Sequence, residues 1–256
     1  MERRPRSSLG NWERNHAHLA KLTPSTAAEG FSTALTPAAP REVAAIWDVK
    51  RILVLAPHTD DYELGAGGTI SRLMESGADL SCAIFSTCDK SVPAGFPKDC
   101  LLHESRAAAA VLGLGQDKLQ IFDFPVREFP SHRQEILEHL VRFRDEFQPN
   151  LVLVNSGSDI HQDHQILHNE SVRAFRQTTV LGYELPWNMI DFSSKALVAL
   201  EPVHIELKKM ALSAYKSQMH RKYFDREFIN SWAQVRGVTI GAEFAEAFEV
   251  VRWVVR

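Results

Sequence analysis

Short, wholly apolar runs alternate with amphipathic stretches from residue 50 onward. Residues 52–56, Ile-Leu-Val-Leu-Ala, contain no polar position and stop at Pro57, the pattern of a strand buried on both faces within a parallel sheet. Helical periodicity over 64–76 leads to a second strand over 80–85. A polar loop at 87–99 precedes a helix over 101–112, a short strand over 119–122 and a helix over 131–147, where Ile136, Leu137, Leu140 and Val141 recur at helical spacing. Residues 151–154 form the next buried strand, followed by a loop at 155–160, a helix over 161–176, a strand over 178–183 and helices over 202–216 and 226–236. This alternation predicts an α/β domain over residues 46–256, with a mainly parallel sheet and helices on both faces, a Rossmann-like three-layer sandwich. Residues 1–45 hold no period and read as a partly irregular N-terminal arm, with at most a short helix over 12–22.

Composition narrows the classes of function. The 256 residues include 29 Lys plus Arg against 32 Asp plus Glu, a net charge of −3 that provides no electrostatic footprint for nucleic acid. No window reaches the ~20 apolar residues of a membrane helix, and no apolar run follows the charged N-terminus. Three cysteines, an odd number, argue against a disulfide framework and for a reduced, cytoplasmic setting. Cys82 reads as core, while Cys88 and Cys100 lack the paired spacing of a structural zinc site.

In an open parallel sheet, ligands bind beyond the carboxyl ends of the strands, so the residues that follow each strand carry the chemistry. The first strand is followed by Pro57-His58-Thr59-Asp60-Asp61-Tyr62-Glu63, and the fourth by a loop ending in His161-Gln162-Asp163-His164. Imidazole and carboxylate together are ligands for zinc, and a catalytic zinc uses three of them; Fe2+, Co2+ and Mn2+ accept the same donors. Neighbouring carboxylates diverge, so one of Asp60 and Asp61 can bind metal while the other faces a substrate water as base. Gly65, Gly67 and Gly68 come too late after the strand for a dinucleotide fingerprint and read as close packing of a helix on the sheet. In the segment after the strand at 178–183, Trp187 could stack on a sugar ring and Glu184 could hydrogen-bond hydroxyls, or the aromatic could pack under the turn at Pro186. Lys90 reads as a solvated loop lysine, and His132, His139, His168 and His204 as surface residues of helices.

The two loops resemble the paired motifs of the N-acetylglucosaminylphosphatidylinositol deacetylases, the PIG-L or LmbE-like family: His-Pro-Asp-Asp, here His58-Thr59-Asp60-Asp61, and His-x-Asp-His, here His161-Gln162-Asp163-His164. A weaker resemblance lies in Ser217-Gln218, Arg236-Gly237 and Phe244-Ala245-Glu246-Ala247-Phe248. The resemblance implies zinc bound by His58, Asp61 and His164, with Asp60 as the base toward a metal-activated water. It assigns His161, held by a neighbour such as Asp163, to the developing oxyanion or leaving amine. The implied reaction removes an N-acetyl group from an amino sugar or glycoconjugate. Two positions depart from the family. Thr59 replaces a proline, and the family's substrate-contacting arginine is missing, with His103 or Arg106 as stand-ins. Metal-dependent hydrolysis of another bond, such as a phosphoester, would call for a second metal and more ligands. A catalytically silent carbohydrate-binding protein would keep the fold and lose the base, yet Asp60 is present. A homo-oligomer, with residues 1–45 packed on a neighbouring subunit, stays open.

Overall fold

A computed structural model of the chain describes residues 49–255; the arm expected over residues 1–45, including the helix over 12–22, lies outside the described residues. Strand β1 (Arg51–Ala56) is buried at every position after its first. Its side chains divide by parity: Ile52, Val54 and Ala56 enter one hydrophobic cluster, Leu53 and Leu55 the other. Strands β2 (Asp79–Ile84) and β4 (Leu151–Asn155) pair with β1 in parallel, β3 (Leu119–Ile121) joins β2, and β5 (Thr179–Tyr183) joins β4. The first cluster packs helices α1 (Asp61–Glu75), α2 (Cys100–Val111), α5 (Pro202–Leu212) and α6 (Arg226–Val238); the second packs α3 (Arg133–Phe147) and α4 (Gln162–Ala174). The three-layer arrangement expected from the alternation is thus the one observed.

Among the described residues the sheet has seven strands in the order β3-β2-β1-β4-β5-β7-β6, and its last two were not expected. Strand β7 (Phe244–Arg252) runs antiparallel to β5, and β6 (Ala196–Leu200) antiparallel to β7. Both contain Ala and β7 carries two Glu, residue types depleted in strands. Tertiary partners offset this. Glu246 accepts hydrogen bonds from the backbone N–H of Gly68 and Thr69 (3.0 and 2.7 Å) and pairs with buried Lys208 at 2.7 Å. Glu249 accepts from Ser156 Oγ and Gly157 N at 2.6 and 2.9 Å.

The glycines of α1 serve packing, as expected. A Cβ on Gly65 would lie 2.3 Å from Cδ2 of Tyr183, and one on Gly68 2.6 Å from Leu200 Cδ1. Tyr183 cannot easily retreat, because it is fully buried and its hydroxyl donates to Leu55 O at 3.1 Å. Gly65→Ala therefore costs more in overpacking, about 1–3 kcal/mol, than the ~1 kcal/mol it gains in helix propensity. Thermal denaturation should show a lower melting temperature; an unchanged or higher one would mean that Tyr183 shifts freely.

Two of the histidines read as surface residues are buried instead. His168 hydrogen-bonds Asn155 O at 2.9 Å, and His204 accepts from Glu201 N at 2.9 Å in a capping box while its other nitrogen meets Glu75 at 2.9 Å. Helical periodicity shows the face a residue occupies, and these two faces are covered by β4 and α1.

Candidate functional site

From β1 the chain winds outward through β2 to β3, then returns to β4 on the other side of β1. The carboxyl ends of β1 and β4 therefore flank the crevice where strand order reverses, the usual ligand position in such sheets. The loop after β1 enters α1 at Asp61, and the loop after β4 enters α4 at Gln162. Each is tied down locally. The Tyr215 hydroxyl is hydrogen-bonded to Thr59 O and Glu63 Oε1, and Asn155 Nδ2 donates to the carbonyls of Ser156 and His164 at 3.1 and 3.0 Å.

Three donor atoms converge in the crevice. His58 Nδ1 lies 3.0 Å from His164 Nε2, and Asp61 Oδ2 lies 3.3 Å from each of them. The far side of each ring is taken by a carboxylate. His58 Nε2 meets Asp163 Oδ2 at 3.0 Å, and His164 Nδ1 meets Asp159 Oδ2 at 2.7 Å. Since a carboxylate only accepts, those far nitrogens carry the ring protons, and the near ones present lone pairs. Two imidazole lone pairs and a carboxylate oxygen thus face one point and could hold a cation: ligands about 2.0–2.1 Å from a tetrahedral zinc lie about 3.3–3.4 Å apart. Without a cation a proton takes its place. Burial opposes charge on His164, but Asp61 and Asp159 outweigh it and carry the ring up to about 10, while His164 and His58 hold Asp61 well below the carboxylate range despite its burial.

His58, His161 and His164 form a second, overlapping candidate set, with ligand atoms within 4.8 Å of one another. His161 caps α4, and its Nδ1 accepts from Asp163 N at 3.2 Å. The ring proton must then sit on Nε2, leaving that nitrogen a donor. Burial, reinforced by His164 and His58, lowers its pKa to about 4, so His161 is neutral at neutral pH. His161 therefore offers a neutral N–H donor.

Asp163 also departs from expectation. Its carboxylate turns from His161 to His58, where it accepts from the backbone N–H of Arg127 and Phe129 (2.5 and 3.3 Å) as well. Asp159, absent from the sequence reading, does the same for His164 and also accepts from His161 N at 2.9 Å. Carboxylates placed behind metal-bound histidines fix ring orientation and raise basicity. The signal was a single Asp five residues before His164, indistinguishable in sequence from loop chemistry.

Asp60 remains outside the donor triangle, on the wall of a cavity of about 380 Å³ that His58, Asp61, His161 and His164 also line. It occupies the cap position of α1 without making a capping hydrogen bond. Burial and the adjacent charge of Asp61 push its pKa up to about 6, against the opposing pull of Arg221.

The substrate-contact set divides. Trp187 lines the cavity, with its ring stacked on Tyr223 at 4.1 Å and 10°. Glu184 does not: its carboxylate is taken by Trp232 Nε1 at 3.0 Å and by the Arg236 guanidinium. His103 is exposed and bonds Asp99 at 3.2 Å, and Arg106 is exposed on α2; neither lines the cavity. The arginines that do are Arg127 and Arg221, from the loops after β3 and α5. Lys90 is exposed and paired with Glu128 at 2.5 Å.

Comparison with known proteins gives a family match across both loops. The profile of the PIG-L family, described as GlcNAc-PI de-N-acetylase, matches residues 53–175, which span both loops. A protein of Escherichia coli K12 named as an uncharacterized deacetylase is 26% identical over 172 residues, 66% of this chain and 91% of its own length. Diacetylchitobiose deacetylase of Thermococcus kodakarensis is 34% identical over 112 residues, 42% of this chain and 41% of its own length. Among solved structures, a conserved protein of Thermus thermophilus superposes with a TM-score of 0.65 at 25% identity, covering 79% of this chain and 96% of that one. Residues 53–175 thus match the PIG-L deacetylase family, and the shared fold and the deacetylase relatives agree with that likeness.

Proposed function

We propose that this protein is a metal-dependent de-N-acetylase that removes the acetyl group from an amino sugar or glycoconjugate, with zinc as its cation. The carrying observation is the convergence of His58 Nδ1, Asp61 Oδ2 and His164 Nε2, lone pairs inward, beside a carboxylate, Asp60, that takes no part in the triangle. Asp61 is preferred to His161 as third ligand because the hydrogen bond from Asp163 N leaves the His161 proton on Nε2. A divalent cation held there would supply Lewis-acid polarisation of the amide carbonyl and a water acidic enough to ionise near neutral pH.

The residues of the chain do the rest. Asp60 accepts the proton of the attacking water and returns it to the nitrogen as the C–N bond breaks, releasing acetate and a free amine. His161 donates Nε2–H to the developing oxyanion. Trp187 offers an apolar face for the sugar ring. A cavity of about 380 Å³ is at the small end for ligand sites and suits one sugar unit. The name of the Thermococcus relative supports the sugar class. Three free, buried cysteines suit a reduced, cytoplasmic setting.

Acetate release from a panel of N-acetylated sugars, with elemental analysis of the purified protein, tests the reading. Acetate from any member, with about one metal per chain, is expected; absence of metal from metal-replete preparations, or phosphate release in place of acetate, would overturn it. The supporting carboxylates allow a finer check. Asp159→Asn should weaken metal affinity about 10–100-fold in a competition titration against a chelator, and wild-type affinity would show that Asp159 does not orient His164.

A further inference from the structure

Several arginines of this fold end on carboxylates. Arg133 and Arg173 share Glu170, Arg236 binds Glu184, and Arg226 binds Glu206. Arg221 and Arg127 both reach the cavity that holds Asp60, and neither is ion-paired among the described residues. Arg221 is half-buried, and among the described residues its guanidinium makes one hydrogen bond, from Nη1 to the hydroxyl of Tyr223. A guanidinium has five N–H donors, so most of this one remains available to a ligand. Its direction is set beforehand, because Tyr223 is held by the stack on Trp187 at 4.1 Å. Arg127 has φ +71, an uncommon backbone for a side chain with a Cβ, and its N–H is bound to Asp163 at 2.5 Å. A pre-oriented guanidinium, Arg221, and a second, exposed one, Arg127, thus border a small cavity, with no carboxylate bonded to either guanidinium among the described residues.

We infer that Arg221, assisted by Arg127, forms an oxyanion subsite in this cavity, so that the substrate is an N-acetylated amino sugar that also carries a phosphate or carboxylate. The planar fork of arginine matches both groups in bidentate geometry, whereas a neutral hydroxyl engages it with a single, weaker bond. The inference rests on the proposed deacetylation for where the acetyl group lies; the subsite itself rests on the two arginines. The expected arginine on α2 is thereby replaced in role by one on the segment after α5, from the other end of the chain.

The test uses the full-length protein with its metal and three sugars: N-acetylglucosamine, its 6-phosphate, and N-acetylmuramic acid, which carries a carboxylate. Wild-type kcat/KM should favour one or both anionic sugars by about 10–100-fold, mainly through KM. Arg221→Gln should bring that ratio close to one, Arg221→Lys should restore part of it, and Arg127→Gln should reduce it less. Preference for the phosphate or for the carboxylate would identify the group. Equal turnover of neutral and anionic sugars by wild type, or a ratio unchanged in Arg221→Gln, would overturn the subsite and leave the deacetylase standing. If no sugar releases acetate, calorimetric binding decides separately. Binding of an anionic sugar that weakens at least about tenfold in Arg221→Gln supports the subsite while the deacetylase reading falls, and absence of any binding overturns it.

Discussion

Asp60→Asn lowers kcat by about 10²–10⁴ and leaves one metal bound per chain. Asn has nearly the shape of Asp and lacks only the proton-accepting charge. The Asp60 carboxylate makes no capping hydrogen bond and stands outside the donor triangle, so its replacement should disturb neither α1 nor the cation. Burial and Asp61 bring its pKa up to about 6, which leaves it ionised at neutral pH and still basic enough to take a proton in the transition state. The sign of the pH dependence follows: activity is lost as pH falls through about 6 and Asp60 is protonated, and a bound cation would move that limb lower. Paired measurements of kcat and metal content in the variant check this. Near-wild-type turnover with metal retained would remove Asp60 from the chemistry, and loss of metal would make it a ligand.

The second large effect is the loss of the cation itself. His164→Ala removes one corner of the triangle and the partner of Asp159, and leaves two buried carboxylates, Asp61 and Asp159, without the imidazole between them. Metal content should drop from about one per chain to near zero, and acetate release with it. In the wild type the cation must displace the proton that Asp61 and Asp159, overcoming burial, keep on His164 with a pKa of about 10. Zinc binding at pH 7 should therefore release about one proton, and affinity should rise about tenfold per pH unit through the neutral range. Titration calorimetry in two buffers of different protonation enthalpy counts that proton. A count of zero would mean that the ring is already neutral and the carboxylates do not act as described, whereas metal retained by His164→Ala would shift the ligand set to His58 and His161.

Much of this site can be read along the chain because its inner residues are local. His58, Asp60 and Asp61 lie within one turn after β1, and His161 to His164 within one turn at the start of α4. The direction of a side chain is another matter. Asp163 stands two residues from His161, yet its carboxylate bonds His58, 105 positions away. The family resemblance offered His103 and Arg106 as stand-ins for a substrate-contacting arginine, but α2 turns both outward, while Arg221 reaches the cavity from the segment after α5. Glu184 follows a strand at the correct edge of the sheet, and the neighbouring α6 satisfies its charge with Trp232 and Arg236.

By itself, the sequence determined the parallel half of the sheet, the helices over its two faces and the residues that ring the crevice, because apolar periodicity and the position of a loop after a strand are properties of adjacent residues. Only the tertiary structure decided the antiparallel pairing of β6 and β7, the carboxylates behind the two histidines, the neutral state of His161 and which arginines reach the cavity. Each of these depends on where distant segments meet. A buried Glu is compatible with a strand once Lys208 and two backbone N–H groups reach it, and an Asp can support a proposed metal ligand once a histidine from another loop arrives within 3.0 Å.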